Sequence, residues 1–304
     1  MARTSIKNLF RLSYTLAGLL VVAAVSCLPQ SVTWMIGAAL GWLFSIFPSP
    51  ARRVVARNIE LCFSELSPDA RRRRVRRHLR MCGVAILSMG AAWWAPKERV
   101  RSLVRTRGQH HLDQAIAGGR NVILLAPHFI ALDICGVRVS LDRQFVTMFR
   151  RSKNALLDRL SRRRARFGIV LLEREASLKP LIQHIRKGMP FYYLPDLDAG
   201  DRAGVFVPFF GIPASTVTAL GRIAQATQAV VVPCISRILP AGLGYEVRFL
   251  APLENFPTAD PTADARRMNQ EIEGWIREIP DQYMWANRRF KTRPNGEPSV
   301  YRTS

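Results

Sequence analysis

The stretch "NVILLAPHFIALDICG", residues 121–136, decides how the chain folds. After Asn121 it is continuously apolar up to Ala126, which reads as a strand buried on both faces. Pro127 ends that strand, and a helix is expected to begin after His128. Polar residues are scarce here: His128 is one of 5 histidines in the chain, and Asp133 follows five positions on. On one continuous helix a five-residue step separates two side chains by about 140°, too far round to pair. With His128 in the turn ahead of the helix, its ring is expected to fold back toward Asp133 in the first turns. An acid beside an imidazole fixes its tautomer and supports its protonated form, so His128 can take a proton from a hydroxyl.

Outward from this stretch, apolar runs alternate with helical patterns. Strands are expected at "QFVTMF" (144–149), "IVLL" (169–172), "PFYYLP" (190–195), "AVVVPCIS" (229–236) and "YEVRFL" (245–250). Helices are expected at 154–168, 177–188 ("SLKPLIQHIRKG"), 215–227 ("STVTALGRIAQAT") and 263–280. This order predicts an α/β fold, a mainly parallel central sheet flanked by helices. His128 then lies past the C-terminal end of a strand, where open α/β sheets place their sites.

Upstream, "SPDARRRRVRRHLRMCGVAILSMGAAWWAP" predicts a basic helix within 67–95, with Ser67 as N-cap, Pro68 in the first turn and a stop before Pro96. Seven arginines fall between Arg71 and Arg80, which suits contact with lipid or phosphate. Residues 12–28 and 32–47 are apolar. Seventeen helical residues rise ~26 Å against a hydrocarbon core of roughly 30 Å, so one tilted span with an interfacial helix, a short hairpin or an in-plane anchor all fit. Arg3, Lys7 and Arg11 resemble a signal-peptide n-region, but the second apolar run favours a retained anchor over residues 1–50, with the body at 51–304. Basic residues flank the apolar region on both sides, which suits a hairpin or an in-plane anchor with the body in the cytoplasm.

Lysine and arginine number 45 against 22 acids, a formal charge of +23, which predicts an anionic partner. The 5 cysteines are scattered without a CxxC pair and fit a reducing compartment. No GxSxG, HExxH, P-loop or GxGxxG occurs, and "PDLDAGD" (195–201) lacks the later glutamate of an EF-hand. Neither a metal nor a cofactor is expected.

His128-x4-Asp133 resembles the signature of the glycerolipid-type acyltransferases. The chain is similar to their branch of late lipid A acyltransferases in "RNIELCFSELS" (57–67), "MFRRSKNALLD" (148–158), "YYLPDLDAGDRAGVFVPFFGIPASTVTALGRIA" (192–224) and "QYMWANRRFKTRPNGEP" (282–298). The resemblance implies an inner-membrane enzyme, its catalytic domain facing the cytoplasm. It would move a fatty acyl chain from acyl carrier protein to a hydroxyl of a hydroxyacyl chain on a phosphorylated, Kdo-bearing lipid A precursor. It implies His128 as general base, Asp133 as its orienting acid, and Arg150 on a phosphate or the developing oxyanion. Asp196 and Asp198 would shape a substrate loop, Phe209, Phe210 and Gly211 would line the acyl entrance, and Arg288 and Arg289 would meet lipid phosphates or sugar carboxylates. Arg159, Arg162, Arg163, Arg164 and Arg166 are a candidate docking face for glycolipid or carrier protein. The chain departs from the family at Ser64, where proline is common, and at Asn287, where histidine is common. The rivals are acylation of another lipid, such as a lysophospholipid or an amino-acid lipid, and a non-catalytic basic protein that binds anionic lipid or nucleic acid. No nucleic-acid partner is expected.

Overall fold

A computed structural model of the protein describes residues 15–152, 154–174, 177–295 and 297–301. Arg3, Lys7 and Arg11, the basic run ahead of the apolar region, lie outside the described residues.

Seven strands form one sheet in the order β1-β9-β8-β2-β5-β3-β4. Five of them, β8 (Ala229–Ile238), β2 (Asn121–Leu125), β5 (Phe191–Tyr193), β3 (Val146–Phe149) and β4 (Val170–Glu173), run parallel. At the other edge β9 (Tyr245–Phe249) turns back antiparallel on β8, and β1 (Val104–Arg107) runs parallel to β9. The sheet is covered on both faces, as its runs of apolar residues require. One core packs Val55, Ile59, Ile185, Leu220 and Ile272 against Ile123 and Val231. The other packs Ala85, Ile134 and Val137 against Leu124 and Val232.

The expected strands are all present, with three further strands that the pattern did not predict. β1 is a short edge strand whose alternate residues are arginines, so it carries no apolar run. A separate antiparallel hairpin, β6 (Gly204–Phe209) with β7 (Ile212–Val217), occupies part of the segment read as helix 215–227, and that helix, α11, spans only Ala219–Thr227. The hairpin turns on Phe210 and Gly211, whose φ values of 51° and 76° suit a two-residue turn of the mirror-image class.

Basic helix α4 spans Pro68–Trp94, capped where Ser67 accepts from the Ala70 N–H at 3.3 Å. Its buried His78 donates through Nδ1 to the Asp281 carbonyl at 3.0 Å and takes the Cys82 thiol on Nε2 at 3.2 Å. Burial pushes this imidazole down to about 4, so it stays neutral and ties α4 to the C-terminal segment. Several arginines of the helix are engaged within the protein: Arg71 on the carbonyls of Phe63 and Ser64, Arg72 on Asp69, and Arg77 on Asp281 at 3.0 Å. Arg73, Arg76 and Arg80 stay exposed.

Two apolar helices lie against α4. These are α1 (Thr15–Ser26) and α2 (Gln30–Ile46). Gly37 and Gly41 on α2 meet Gly83 and the Leu79–Arg80 backbone so closely that a Cβ on any of the three glycines would strike main chain. Among the described residues no single helix is long and apolar enough to cross a membrane. Only α2 with α3 (Pro50–Cys62) would reach that length, as a pair bent by 87°. The sides of α1 and α2 turned away from α4 expose Leu20, Val21, Met35, Trp42 and Phe47.

Candidate active site

β2 and β5 are neighbours in register, Leu125 opposite Tyr193, and the chain leaves both at the same end of the sheet. His128 lies three residues past the end of β2, and Asp196 three residues past the end of β5. The shared register therefore brings them together. His128 Nδ1–H donates to Asp196 Oδ1 at 2.7 Å, and the His128 backbone N–H donates to Asp196 Oδ2 at 2.8 Å. From the other side the Met284 N–H donates to the His128 carbonyl at 2.8 Å, within a bridge between Phe129 and Tyr283. Ring and backbone of His128 are thus clamped.

Asp196 is 1% exposed. Burial alone would push its carboxyl up, but the His128 charge, the two bonds from His128 and the neighbouring Tyr283 hydroxyl outweigh it and hold the carboxyl below its usual range. The carboxylate is ionised and accepts, so Nδ1 carries a hydrogen; in the neutral ring the lone pair is then on Nε2.

The expected partner of His128 was Asp133, and this is corrected. Asp133, the second residue of α7 (Leu132–Asp142), is ion-paired instead with Arg164. Nδ1–H is committed to Asp196 and the Asp133 carboxylate to the Arg164 guanidinium, so each group already has its partner. What identifies Asp196 in the sequence is the acid that follows the next parallel strand, in "YYLPD", a position visible only once the strand order is known.

His128 opens on a cavity of about 370 Å³. Its wall carries Asp133, Arg150, Arg164 and Arg174 among apolar residues including Val137, Phe145, Ile169 and Leu171. A mostly apolar lining with a few polar groups is the form of a site for an apolar chain with a reactive head. Arg150 and Arg174 are exposed where they meet it.

The remaining expected residues fall elsewhere. Asp198 takes the Thr292 hydroxyl and N–H at 2.8 and 2.9 Å, which pins the loop after β5 to the C-terminal segment. Phe209 is fully buried, and Phe210 packs on Phe63 and Trp285 beneath Arg277. With Gly211 they form the tip of the β6–β7 hairpin and do not line the His128 cavity, which corrects their reading as an acyl entrance. Arg288 is exposed, 5.8 Å over the Tyr301 ring, whereas Arg289 is buried and bonds only within the protein, so it cannot meet a lipid headgroup. Most of the expected docking face is also spent internally. Arg162 pairs with Asp158 and covers the Phe149 ring, while Arg163 and Arg166 bind carbonyls at the C-terminal end of α4. Arginine runs attract attention as charge, but burial decides which of them remain available.

Among the described residues no group of three or more His, Cys, Asp and Glu is placed to hold a metal. Cys135 is buried and its thiol is pushed up to about 12, so it stays protonated and is no nucleophile.

Comparison with known proteins supplies the chemistry that a His/Asp pair and an apolar cavity leave open. A lipid A biosynthesis lauroyltransferase of Escherichia coli (strain K12) is 35% identical over 289 residues, 94% of either chain. A lipid A biosynthesis acyltransferase of Haemophilus influenzae is 33% identical, covering 93% of this chain and 92% of its own. The lipid A biosynthesis myristoyltransferase of E. coli (strain K12) is 30% identical, covering 94% and 89%. The profile of bacterial lipid A biosynthesis acyltransferases matches residues 4–292. The chain, with its histidine at a strand end over an apolar cavity, therefore belongs to the bacterial lipid A biosynthesis acyltransferase family.

Proposed function

We propose that the protein transfers a fatty acyl chain from acyl carrier protein to a hydroxyl of a hydroxyacyl chain on a phosphorylated, Kdo-bearing lipid A precursor. The observation that carries this reading is the His128–Asp196 pair, which leaves the Nε2 lone pair at the mouth of an apolar cavity. Nε2 takes the proton of the acceptor hydroxyl as its oxygen attacks the thioester carbonyl. The donor's acyl chain lies along Val137, Phe145 and Ile169, and no covalent enzyme intermediate is needed. Arg150 and Arg174, exposed at the cavity, meet the anionic groups of donor or acceptor. A +23 surface draws both an acidic carrier protein and a phosphorylated glycolipid.

The test is an acyl-transfer assay with acyl carrier protein thioesters as donors. Transfer to a Kdo-bearing lipid A precursor and none to lysophospholipid is expected. Transfer confined to glycerolipid acceptors would reject the substrate and keep the chemistry.

The enzyme works at the cytoplasmic face of the inner membrane. The outer faces of α1 and α2 expose an apolar surface beside exposed arginines of α4, the arrangement of an in-plane amphipathic anchor. Glutamates at Met35 and Phe47 together are expected to move the protein from the membrane to the soluble fraction with its melting temperature kept. Both residues are more than half exposed and support no core. Full retention in the membrane fraction would show that this face is not the anchor.

A further inference from the structure

On the acyl-transfer reading above, we propose that Phe145 sets the length of the transferred chain: its ring closes the far end of the His128 cavity and admits a donor chain of about twelve carbons.

The strand register gives the cavity a direction. β2, β5, β3 and β4 are parallel, so His128, Arg150 and Arg174 all lie past the same end of these strands. Phe145 and Ile169 lie at the opposite end, each one residue ahead of its strand, and the Val170 N–H donates to the Phe145 carbonyl at 2.9 Å. Among the residues that line the cavity, these two lie farthest back along β3 and β4. Alternate strand residues share a face, and Phe145, Ile169 and Leu171 pack in one core with Val137 of α7. The cavity therefore runs between α7 and the β3–β4 ladder, with Phe145 and Ile169 as its end wall. Phe145 makes that wall firm. It is 2% exposed, and its ring stacks on that of Tyr192 with centroids 5.0 Å apart.

Two measures of the space agree. Five residue steps separate Phe145 from Arg150, about 16 Å at roughly 3.3 Å per step. An extended chain advances ~1.25 Å per carbon, from bonds of ~1.52 Å meeting at ~111°, so about thirteen carbons span that length. The volume of about 370 Å³ holds about twelve groups at the roughly 30 Å³ that a water-sized group takes up in a liquid.

Gly136 tests the same geometry from the other wall. α7 carries the chain back from the end of β2 to the start of β3, so Gly136 lines the cavity part-way between His128 and Phe145. A Cβ there meets only Cζ and Oη of Tyr192, both at 3.9 Å, which is ordinary contact. A larger side chain at 136 thus enters the cavity and shortens it without striking backbone.

The experiment measures kcat/KM on the full chain with lipid A precursor and an even-numbered ladder of saturated acyl carrier protein thioesters on both sides of that length. The set comprises wild type, Phe145→Ala, Phe145→Leu and Gly136→Leu, each checked by its melting curve. In wild type kcat/KM is expected to rise about fifteenfold per two-carbon step up to the maximum, since each buried CH₂ adds its transfer energy, and to fall beyond it. Phe145→Ala removes the ring from the end wall and moves the maximum up by about two carbons or more, with Phe145→Leu shifted less in the same direction. Gly136→Leu moves it down by about two carbons or more and keeps transfer from the shorter donors. A wild-type profile without a maximum, a maximum left in place by the Phe145 and Gly136 variants, or losses equal for every donor would each overturn the assignment while the acyl-transfer reading stood. Phe145→Leu and Gly136→Leu decide the matter if the alanine variant fails to fold. No transfer from any donor by wild type would reject the acyl-transfer reading, and this assignment with it.

Discussion

Asparagine at position 196 lowers acyl transfer by about 10²–10⁴-fold, and alanine at position 128 removes base catalysis altogether, with the fold retained in both. The first loss follows from hydrogens rather than from shape. Asp196 accepts twice from one residue, from the His128 backbone N–H on Oδ2 and from Nδ1–H on Oδ1. An amide of the same size has one accepting atom. If its oxygen keeps the backbone N–H, its NH2 group faces Nδ1 and forces the hydrogen to Nε2. The ring then has no lone pair where the hydroxyl arrives, as in the inverted tautomer of a serine-protease histidine whose acid is replaced by its amide. If the amide turns round, two N–H groups confront each other and the clamp on the His128 backbone is lost.

The Asp196 carboxylate, held below its usual range, is charged through the neutral region. The measurement is kcat and KM for wild type and Asp196→Asn. A near-normal kcat would show that Asp196 does not support the base.

The placement of His128 was legible in the sequence because a single local pattern carries it: an apolar strand, a proline and a helix. Its partner was not, because partnership across a sheet depends on which strands are neighbours. "NVILLA" and "PFYYLP" lie about seventy residues apart, and nothing in either says that they pair in register. Asp133 drew the assignment by being near in sequence, a local cue that tertiary register overrode. The hairpin β6–β7 was missed for a related reason. Its turn, Phe210-Gly211, signals a reversal only through the glycine, and the following "STVT" continues plausibly into helix α11. Cap chemistry was the reverse case: Ser67, Pro68 and Asp69 are local devices, and α4 begins where they put it.

The pair Arg288–Arg289 shows the same limit, and it yields the second large effect. Two adjacent arginines read alike, yet one is exposed and the other is 2% exposed. Arg289 Nη1 donates to the Ser215 carbonyl at 2.6 Å and, at 3.4 Å, to that of Leu197. Its Nη2 donates to the Thr216 hydroxyl at 2.7 Å and to Asn269 Oδ1 at 3.3 Å. The guanidinium lies over the Phe209 ring, 5.2 Å from its centre. One side chain thus joins β7, helix α12 (Pro261–Glu278) and the loop after β5 that carries Asp196. Burial pushes its pKa down, while Tyr283 and then Asp196 and Asp198 push it back up. In Arg289→Met each acceptor loses one donor. The Ser215 carbonyl keeps the Ala199 N–H at 3.2 Å and the Thr216 hydroxyl keeps Asn269 Nδ2 at 3.2 Å, so each loss stays below the ~1–3 kcal/mol of a wholly unpaired group. Relief from burying a cation offsets part of this. A net loss of about 3 kcal/mol is expected, a fall in melting temperature of roughly 5 °C for a chain of 304 residues. Lysine at 289 restores little, since a compact ammonium cannot span acceptors arranged for a planar fork. Arg288→Met, on the exposed neighbour, changes stability by less than about 0.5 kcal/mol. Melting curves of the three variants decide between core brace and surface anion site: equal stability in Arg289→Met and Arg288→Met would return Arg289 to the surface role, whereas the expected gap makes it the brace beneath the loop that holds the catalytic pair.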